Sequence, residues 1–251
     1  MKYIILIISL TLNISCFAQI KIDFENNNSI VVTPINFPEQ MLRYYGDNRI
    51  FVNIGTVNYD ERTIYDFDLT NISSEPFVFG YVTWGEPSFK PYWKRDPISP
   101  KRNTKLSYGH VDTRRIGNIS KTSTVKTNFG RFYVSFRGYN LPPDVAIDDT
   151  YVKCTASLGD TIKASFKIYN KSDTSFLSLS RMSSDFHTYV TCEKQNEKSI
   201  APNSYKTFYV RYIPQKTGKL TSQIVISVNG APVQYYIYCN VQKSKKQDKS
   251  H

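Results

Sequence analysis

Side chains that could carry a reaction are few in this sequence. Its histidines are His110, His187 and His251, and its cysteines are Cys16, Cys154, Cys192 and Cys239. No His-x-Glu or Cys-x-x-Cys spacing occurs and no glycine-rich loop follows a strand pattern, so metal-activated water and a phosphate cradle both lack their residues. His110 sits in a strand pattern with Leu106 and Tyr108 and reads as structural. Asp144, Asp148 and Asp149 are close enough in sequence to share a calcium ion, yet three acids beside a hinge are ordinarily solvated. The expectation is a protein without catalysis, cofactor or metal.

Binding chemistry is better represented. The stretch from Trp84 to Arg102 carries Trp84, Phe89, Tyr92 and Trp93 among Lys90, Lys94, Arg95, Lys101 and Arg102, with Pro87, Pro91, Pro97 and Pro100 restricting it, and Arg114 and Arg115 follow in a neighbouring turn. Prolines reduce the entropy lost on binding, aromatic faces stack on sugars or apolar groups, and cations attract anions. Trp84 and Trp93 equally suit plugs at the end of a folded core, and the cations equally suit a solvated surface.

Charge is distributed unevenly. Residues 90 to 137 hold twelve cations against Asp96 and Asp112, a net of +10, whereas residues 19 to 89 hold four cations and ten acids, a net of −6. Lys and Arg are rarely buried, so most of these cations must face water on whatever surface the fold provides. An anionic glycan, a lipid headgroup or an acidic envelope protein fits such a surface.

The elements that would position these residues are strands. Tyr65 to Ser73 alternates apolar with polar side chains and ends in Asn-x-Ser, and Ala164 to Ser172 repeats it as Phe166, Ile168, Asn170 and Ser172. Gly55-Thr56-Val57 lies over Cys154-Thr155-Ala156 at the same offset of 99, Pro97-Ile98-Ser99-Pro100 over Ser199-Ile200-Ala201-Pro202 at 102, and Gly117 and Asn128 over Gly218 and Asn229 at 101. Such drift belongs in loops, because a one-residue slip within a strand turns its buried face outward. A period near 100 is one whole domain, so the expectation is all-β with two tandem antiparallel β-sandwiches. Residues 50–140 form the first and 145–242 the second; 19–49 form an N-terminal arm or extra strand, with strand character at Ile30-Val31-Val32 and a helical turn after Pro38. The first sandwich is expected to use strands near 51–57, 63–71, 76–83, 104–111, 121–127 and 131–137. Leu141-Pro142-Pro143-Asp144 is the linker, and 243–251 a basic, disordered tail.

The chain opens Met1-Lys2-Tyr3, runs apolar from Ile4 to Leu12, and reaches Cys16-Phe17-Ala18-Gln19. These are the parts of a secretory signal peptide over 1–18, cleaved near Ala18, and the run is too short to span a bilayer. No transmembrane segment is expected elsewhere, and outside the cytoplasm nucleic acid is not an expected partner. Cys154, Cys192 and Cys239 then remain, an odd number that allows at most one internal bridge, with at least one thiol acting as a small buried hydrophobe.

Gly55 to Val57, Phe67 to Ser73, Glu75-Pro76, Pro87 to Trp93, Pro97 to Pro100, Asp112-Thr113, Gly117, Lys121 and Val125 to Asn128 together resemble the Bacteroidetes domain-of-unknown-function family 1573. The likeness covers the first repeat; the second keeps Phe166, Asn170, Ser172, Ile200, Pro202, Gly218 and Asn229. It implies immunoglobulin-like sandwiches of the Hydin-related type in an exported protein of the periplasm or cell surface, without an assigned reaction. Many members place a Cys-Gly-Cys pair where this chain has Trp84-Gly85-Glu86-Pro87, so no metal or redox role is carried over. Asp160-Thr161-Ile162 resembles the O-glycosylation acceptor of that phylum, at Thr161. Two sandwiches in a basic exported chain also fit a periplasmic chaperone that acts by strand donation in surface-fibre assembly, although the Arg and Lys pair usual to that cleft has no match here. Mass spectrometry of the protein from its native host is expected to find Gln19, free or as pyroglutamate, at the N-terminus; intact Met1 would refute export.

Overall fold

The computed structural model describes residues 19–59, 61–83, 89–110, 116–193 and 197–243. The first half of the chain supplies β1 (Ile20–Asp23), β2 (Ser29–Pro34), β3 (Leu42–Tyr44), β4 (Arg49–Val57), β5 (Thr63–Asn71), β6 (Phe79–Val82), β7 (Phe89–Trp93), β8 (Asn103–His110), β9 (Gly117–Thr127) and β10 (Arg131–Asn140). They build two sheets, ordered β1-β2-β5-β8-β7 and β3-β4-β10-β9-β6. The second half supplies β11 (Val145–Ile147), β12 (Tyr151–Ser157), β13 (Ile162–Asn170), β14 (Leu177–Ser184), β15 (Thr188–Cys192), β16 (Ser199–Ile200), β17 (Ser204–Tyr212), β18 (Gly218–Val228) and β19 (Ala231–Gln242). Their sheets run β11-β13-β17-β15 and β12-β19-β18-β14-β16.

Strand order makes the two halves equivalents, β2 with β11, β4 with β12, β5 with β13 and so on to β10 with β19. In each half one early strand pairs antiparallel with a central strand of its sheet (β2 with β5, β11 with β13), its equivalent successor lies in the facing sheet, and there it runs parallel to the last strand (β4 with β10, β12 with β19), the other pairings being antiparallel. That arrangement is the immunoglobulin-like sandwich. Alternation explains the strands: Tyr65, Phe67 and Leu69 of β5 are buried, as are Phe166 and Ile168 of β13, and burial of each such side chain is worth about 1.5–3 kcal/mol. Rings from facing sheets meet, Phe67 with Phe136 at 6.5 Å and Phe166 with Tyr235 at 4.4 Å.

Residues 19–49, read from sequence as an arm or extra strand, contribute β1, β2 and β3 to both sheets and bury Ile22, Ile30 and Val32 in the first core. The turn after Pro38 is a single 3-10 turn, Glu39–Met41. The stretch read as a loop between Trp84 and Arg102 contains an edge strand, β7; its register against β8 sends Pro91 and Trp93 inward with Tyr108 and Leu106.

The repeated Asn-x-Ser turns out to be a clamp. Asn71 Nδ2 donates to the carbonyls of Glu75 and Ile98, both at 2.8 Å, and its Oδ1 accepts the Ser73 N–H at 3.0 Å. Asn170 does the same with Ser175, Ile200 and Ser172 at 2.8, 2.9 and 3.0 Å. Asn128 and Asn229 form a second matched pair, accepting the Val78 and Ser178 N–H groups at 2.8 and 2.7 Å. Loop backbone that leaves the ladder is thereby satisfied by a side chain at the same place in each sandwich.

The sandwiches join through a built contact. Leu141 is fully buried in the second core while its N–H donates to the Val57 carbonyl at 3.0 Å, and Asn58 holds both the N–H and the carbonyl of Ile147 at 3.0 and 2.9 Å. Tyr236 and Tyr238 of β19 pack into the first core. Cys154 and Cys239 are register partners on β12 and β19 as free thiols, Cys239 buried; Cys192 is half-buried on β15. Burial and the neighbouring Cys239 push the Cys154 thiol up to about 12.

Asn71→Ala and Asn170→Ala are each expected to destabilise by at least about 2 kcal/mol, since each strands buried carbonyls at about 1–3 kcal/mol apiece. Asn→Asp, which sets a carboxylate oxygen against both carbonyls, should cost at least as much at neutral pH and less in acid, where the protonated carboxyl can donate to one of them. Thermal melts unchanged from the parent would show that the clamps are dispensable.

Candidate functional site

The outer face of β3-β4-β10-β9-β6 gathers cations and aromatic rings that are scattered in the sequence. Register places Tyr81, Lys126 and Arg131 in one row, Thr124, Tyr133 and Arg49 in the next, then Thr122, Ser135, Phe51 and Arg43, and finally Ser120, Arg137 and Asn53. Side chains alternate along these strands, so residues in register share a face; burial of Ile50, Val52, Val125, Phe132, Val134 and Phe136 puts the intervening positions inside. No acid occupies a strand position on this face, and among the described residues none of the five cations has an ion-pair partner.

Rings hold the cations in place. The Arg137 guanidinium lies 4.8 Å from the Phe51 centroid, Arg49 lies 5.2 Å from Tyr133, and the Lys126 ammonium lies 5.5 Å from Tyr81. Tyr45 meets Phe51 edge-on at 4.8 Å. A cation over an exposed ring gains about 0.5–1 kcal/mol and keeps its hydrogen-bond donors free for an anion. This geometry can fix an anionic group bidentately on arginine and stack a flat or apolar group beside it.

Toward the second sandwich the face opens into a cleft of about 1000 Å³, lined on one side by Arg43, Arg49, Phe51, Asn53 and Arg137 and on the other by Asp185, Thr221, Gln223, Gln234, Tyr236 and Tyr238. Its floor is a polar hub. Tyr236 Oη accepts from Asn53 Nδ2 at 3.1 Å and Gln223 Nε2 at 3.0 Å and donates to Gln234 Oε1 at 2.8 Å. Tyr236 and Tyr238 stack with planes 4° apart and centroids 5.7 Å apart. Burial raises both phenols above their ordinary value, with the Asn53 hydrogen bond pulling Tyr236 back down in part. Glu39 and Lys219 bridge the same junction at 2.6 Å. Among the described residues no group of three His, Cys, Asp or Glu is placed to hold a metal ion, and Asp148 spends its Oδ1 on the N–H groups of Asp149 and Lys167.

The residues singled out from sequence are only partly united. Trp84, Arg114 and Arg115 lie outside the described residues, and Phe89 is placed only as the start of β7. Trp93 packs against the first core with its indole Nε1 buried, so it serves as a plug; Tyr92 is exposed, with the Lys90 ammonium 5.6 Å from its ring. Lys94 and Arg95 follow β7, and Lys101 and Arg102 precede β8 beside the end of β5, all four exposed. Thr161 is exposed at the turn closed by Asp160 Oδ2 and the Ser157 N–H. Sequence reasoning missed Arg43 and Arg49 because they fall in the acidic part of the chain. It counted Lys126, Arg131 and Arg137 in the cationic run without assigning them a face; their alternation with buried residues was the available signal.

Fold and face together define an all-β protein of immunoglobulin-like sandwiches that carries cations and rings on one outer sheet surface, with a cleft beside it. No family model matches the sequence, and no curated protein matches it. Among solved structures the chain is similar to a protein of unknown function from Porphyromonas gingivalis W83, at 12% identity and a TM-score of 0.33, covering 75% of this chain and 95% of that one. It is also similar to the ASH / PapD-like domain 7 of human CEP192, at 11% identity and TM-score 0.32 over 41% of this chain and 87% of that one. A third is the sialic acid binding region of a Streptococcus sanguinis adhesin, at 10% identity and TM-score 0.27 over 76% of each chain. At identities of 10–12% and TM-scores of 0.27–0.33 these likenesses carry no argument about this chain.

Because the fold holds Tyr236 and Tyr238 as neutral phenols, their contribution to stability is complete below the unfolded tyrosine value near 10.0 and is lost as pH rises beyond it. The melting temperature should therefore fall steeply above pH 10, with the phenolate absorbance of these buried rings appearing together with unfolding. Their full ionisation in the folded protein would contradict the buried junction.

Proposed function

We propose that the chain is an exported, non-catalytic binding module of the bacterial cell envelope that presents the outer face of β3-β4-β10-β9-β6 to an anionic glycan, lipid headgroup or acidic protein. The observation that carries this reading is the gathering of Arg43, Arg49, Lys126, Arg131 and Arg137 on one acid-free sheet surface, with Arg49, Lys126 and Arg137 set over Tyr133, Tyr81 and Phe51. Charges that served solubility alone would be interspersed with acids. Export is supported by the signal-peptide pattern before Gln19, which lies outside the described residues, and by the resemblance to family 1573; among the described residues no helix is long and apolar enough to cross a membrane. Strand donation is the weaker reading, since β10 and β19, the last strands of the two sandwiches, are paired on both sides.

Changing Arg43, Arg49, Lys126, Arg131 and Arg137 together to Ser should remove most of the salt-dependent retention on immobilised heparin or lipopolysaccharide. Stability should fall only slightly, because exposed charges are each worth at most about 1 kcal/mol. The companion variant with Lys94, Arg95, Lys101 and Arg102 changed to Ser should keep most retention. Retention that survives the first set and disappears with the second would return the site to the β7 edge, and retention unaffected by either would remove the support for an anion-binding face.

A further inference from the structure

The second sandwich carries a different surface that the first reading does not use. On the outer face of β13, β17 and β15, register sets Tyr169 beside Tyr205, Lys167 beside Thr207, Ser165 beside Tyr209 and Thr191, and Lys163 beside Arg211 and Tyr189. These positions consist of four tyrosines, three cations and three hydroxyl residues, with no acid and no aliphatic side chain. The exposure is large for rings: 51% for Tyr189, 51% for Tyr205 and 46% for Tyr209. Tyr169 and Tyr205 lie 5.5 Å apart, the Lys167 ammonium sits 4.5 Å from the Tyr205 centroid, and the Arg211 guanidinium sits 4.8 Å from Tyr189. The bordering carboxylates are already engaged, Glu193 with the Tyr209 hydroxyl at 2.6 Å and Asp148 with the Lys167 N–H at 2.7 Å.

We propose that this face is a platform for an acidic polysaccharide lying across β13, β17 and β15. A sugar ring offers an apolar C–H face, a rim of hydroxyls and, in an acidic glycan, a carboxylate or sulfate. The platform offers tyrosine faces for the first, Ser165, Thr191 and the hydroxyls of Tyr169, Tyr189 and Tyr205 for the second, and Lys163, Lys167 and Arg211 for the third, while Thr207 is buried between them. Tyr205 and Tyr209 are four residues apart on one strand, about 13 Å at the usual rise, so one extended chain can contact both. A protein partner would call for a desolvated apolar centre, and a membrane for inserting aliphatic wedges; these ten positions supply neither. The platform shares with the arginine face of the first sandwich only the sign of the partner's charge, and each stands if the other falls.

The test is affinity electrophoresis of the full mature chain through gels containing polygalacturonate, heparin or neutral dextran. The parent should be retarded by at least one acidic polymer and not by dextran. Tyr189→Ala, Tyr205→Ala and Tyr209→Ala combined should weaken that retardation about tenfold or more, with circular dichroism and melting unchanged; the single variant Tyr205→Ser, a smaller perturbation, should weaken it in the same direction. Lys163→Ser, Lys167→Ser and Arg211→Ser combined should also weaken it. Retardation untouched by the tyrosine changes, equal retardation by dextran, or binding to phosphatidylglycerol vesicles in place of both acidic polymers would each overturn the platform. Loss confined to the arginine-face variant of the first sandwich would overturn it too, while sustaining the first reading.

Discussion

The ring of Tyr236 rests on the backbone of Gly55, and the relation between the two sandwiches depends on that contact. Gly55 has φ +64, and a Cβ there would meet the Tyr236 ring at 3.0 Å. The neighbouring strand makes the same demand: a Cβ on Gly138 would lie 2.5 Å from the Gly55 carbonyl oxygen, at the register shift between Arg137 and Gly138. Gly55 thus leaves a flat place where β19 of the other sandwich can lie close, and Gly138 lets β10 approach β4 beside it. Around it the Gln234 N–H reaches Thr56 Oγ1 at 2.7 Å and Asn53 reaches Tyr236 Oη. The cleft exists because this contact sets its floor and fixes the separation of its walls.

The Asn clamps are a different kind of constraint, local and duplicated. They explain why the most visible repeat in the sequence says so much about architecture and so little about function. A buried asparagine that satisfies two carbonyls and one N–H cannot be exchanged without leaving backbone groups unpaired, whereas exposed residues between clamps are free to vary. Accordingly β5 and β13 share Phe, Asn and Ser at equivalent positions while their outward faces differ, Asp66 and Asp68 on one and Lys163, Ser165 and Lys167 on the other.

Divergence of the outward faces gives the two sandwiches different surfaces. The first places its cations over Phe51, Tyr81 and Tyr133 on the sheet that ends at the junction, and the second places tyrosines and cations on the opposite type of sheet, β11-β13-β17-β15. Both use the same physics: a ring holds a cation's stem or plane while leaving its donors to solvent. Exposed cations organised in this way lose less side-chain entropy on meeting an anion than free ones do.

The sequence by itself determined the all-β class, most strands of the first sandwich and the places where loops leave the ladder, because alternation, Asn-x-Ser and turn glycines act over a few residues and their effect does not depend on distant contacts. It also carried the excess of cations between residues 90 and 137. It gave strand character at Ile30-Val31-Val32 and left residues 19–49 as an arm or extra strand, without showing that β1 also joins that sheet, since β1 and β2 are defined by pairing with each other and with β5. Nor did it separate Trp93, turned into the core by the register of β7, from Tyr92, turned out beside it. The arginine face could be recognised only in three dimensions. Arg43 and Arg49 meet Lys126, Arg131 and Arg137 because β4 lies parallel to β10 across about 80 residues of chain, and parallel pairing of distant strands has no local code.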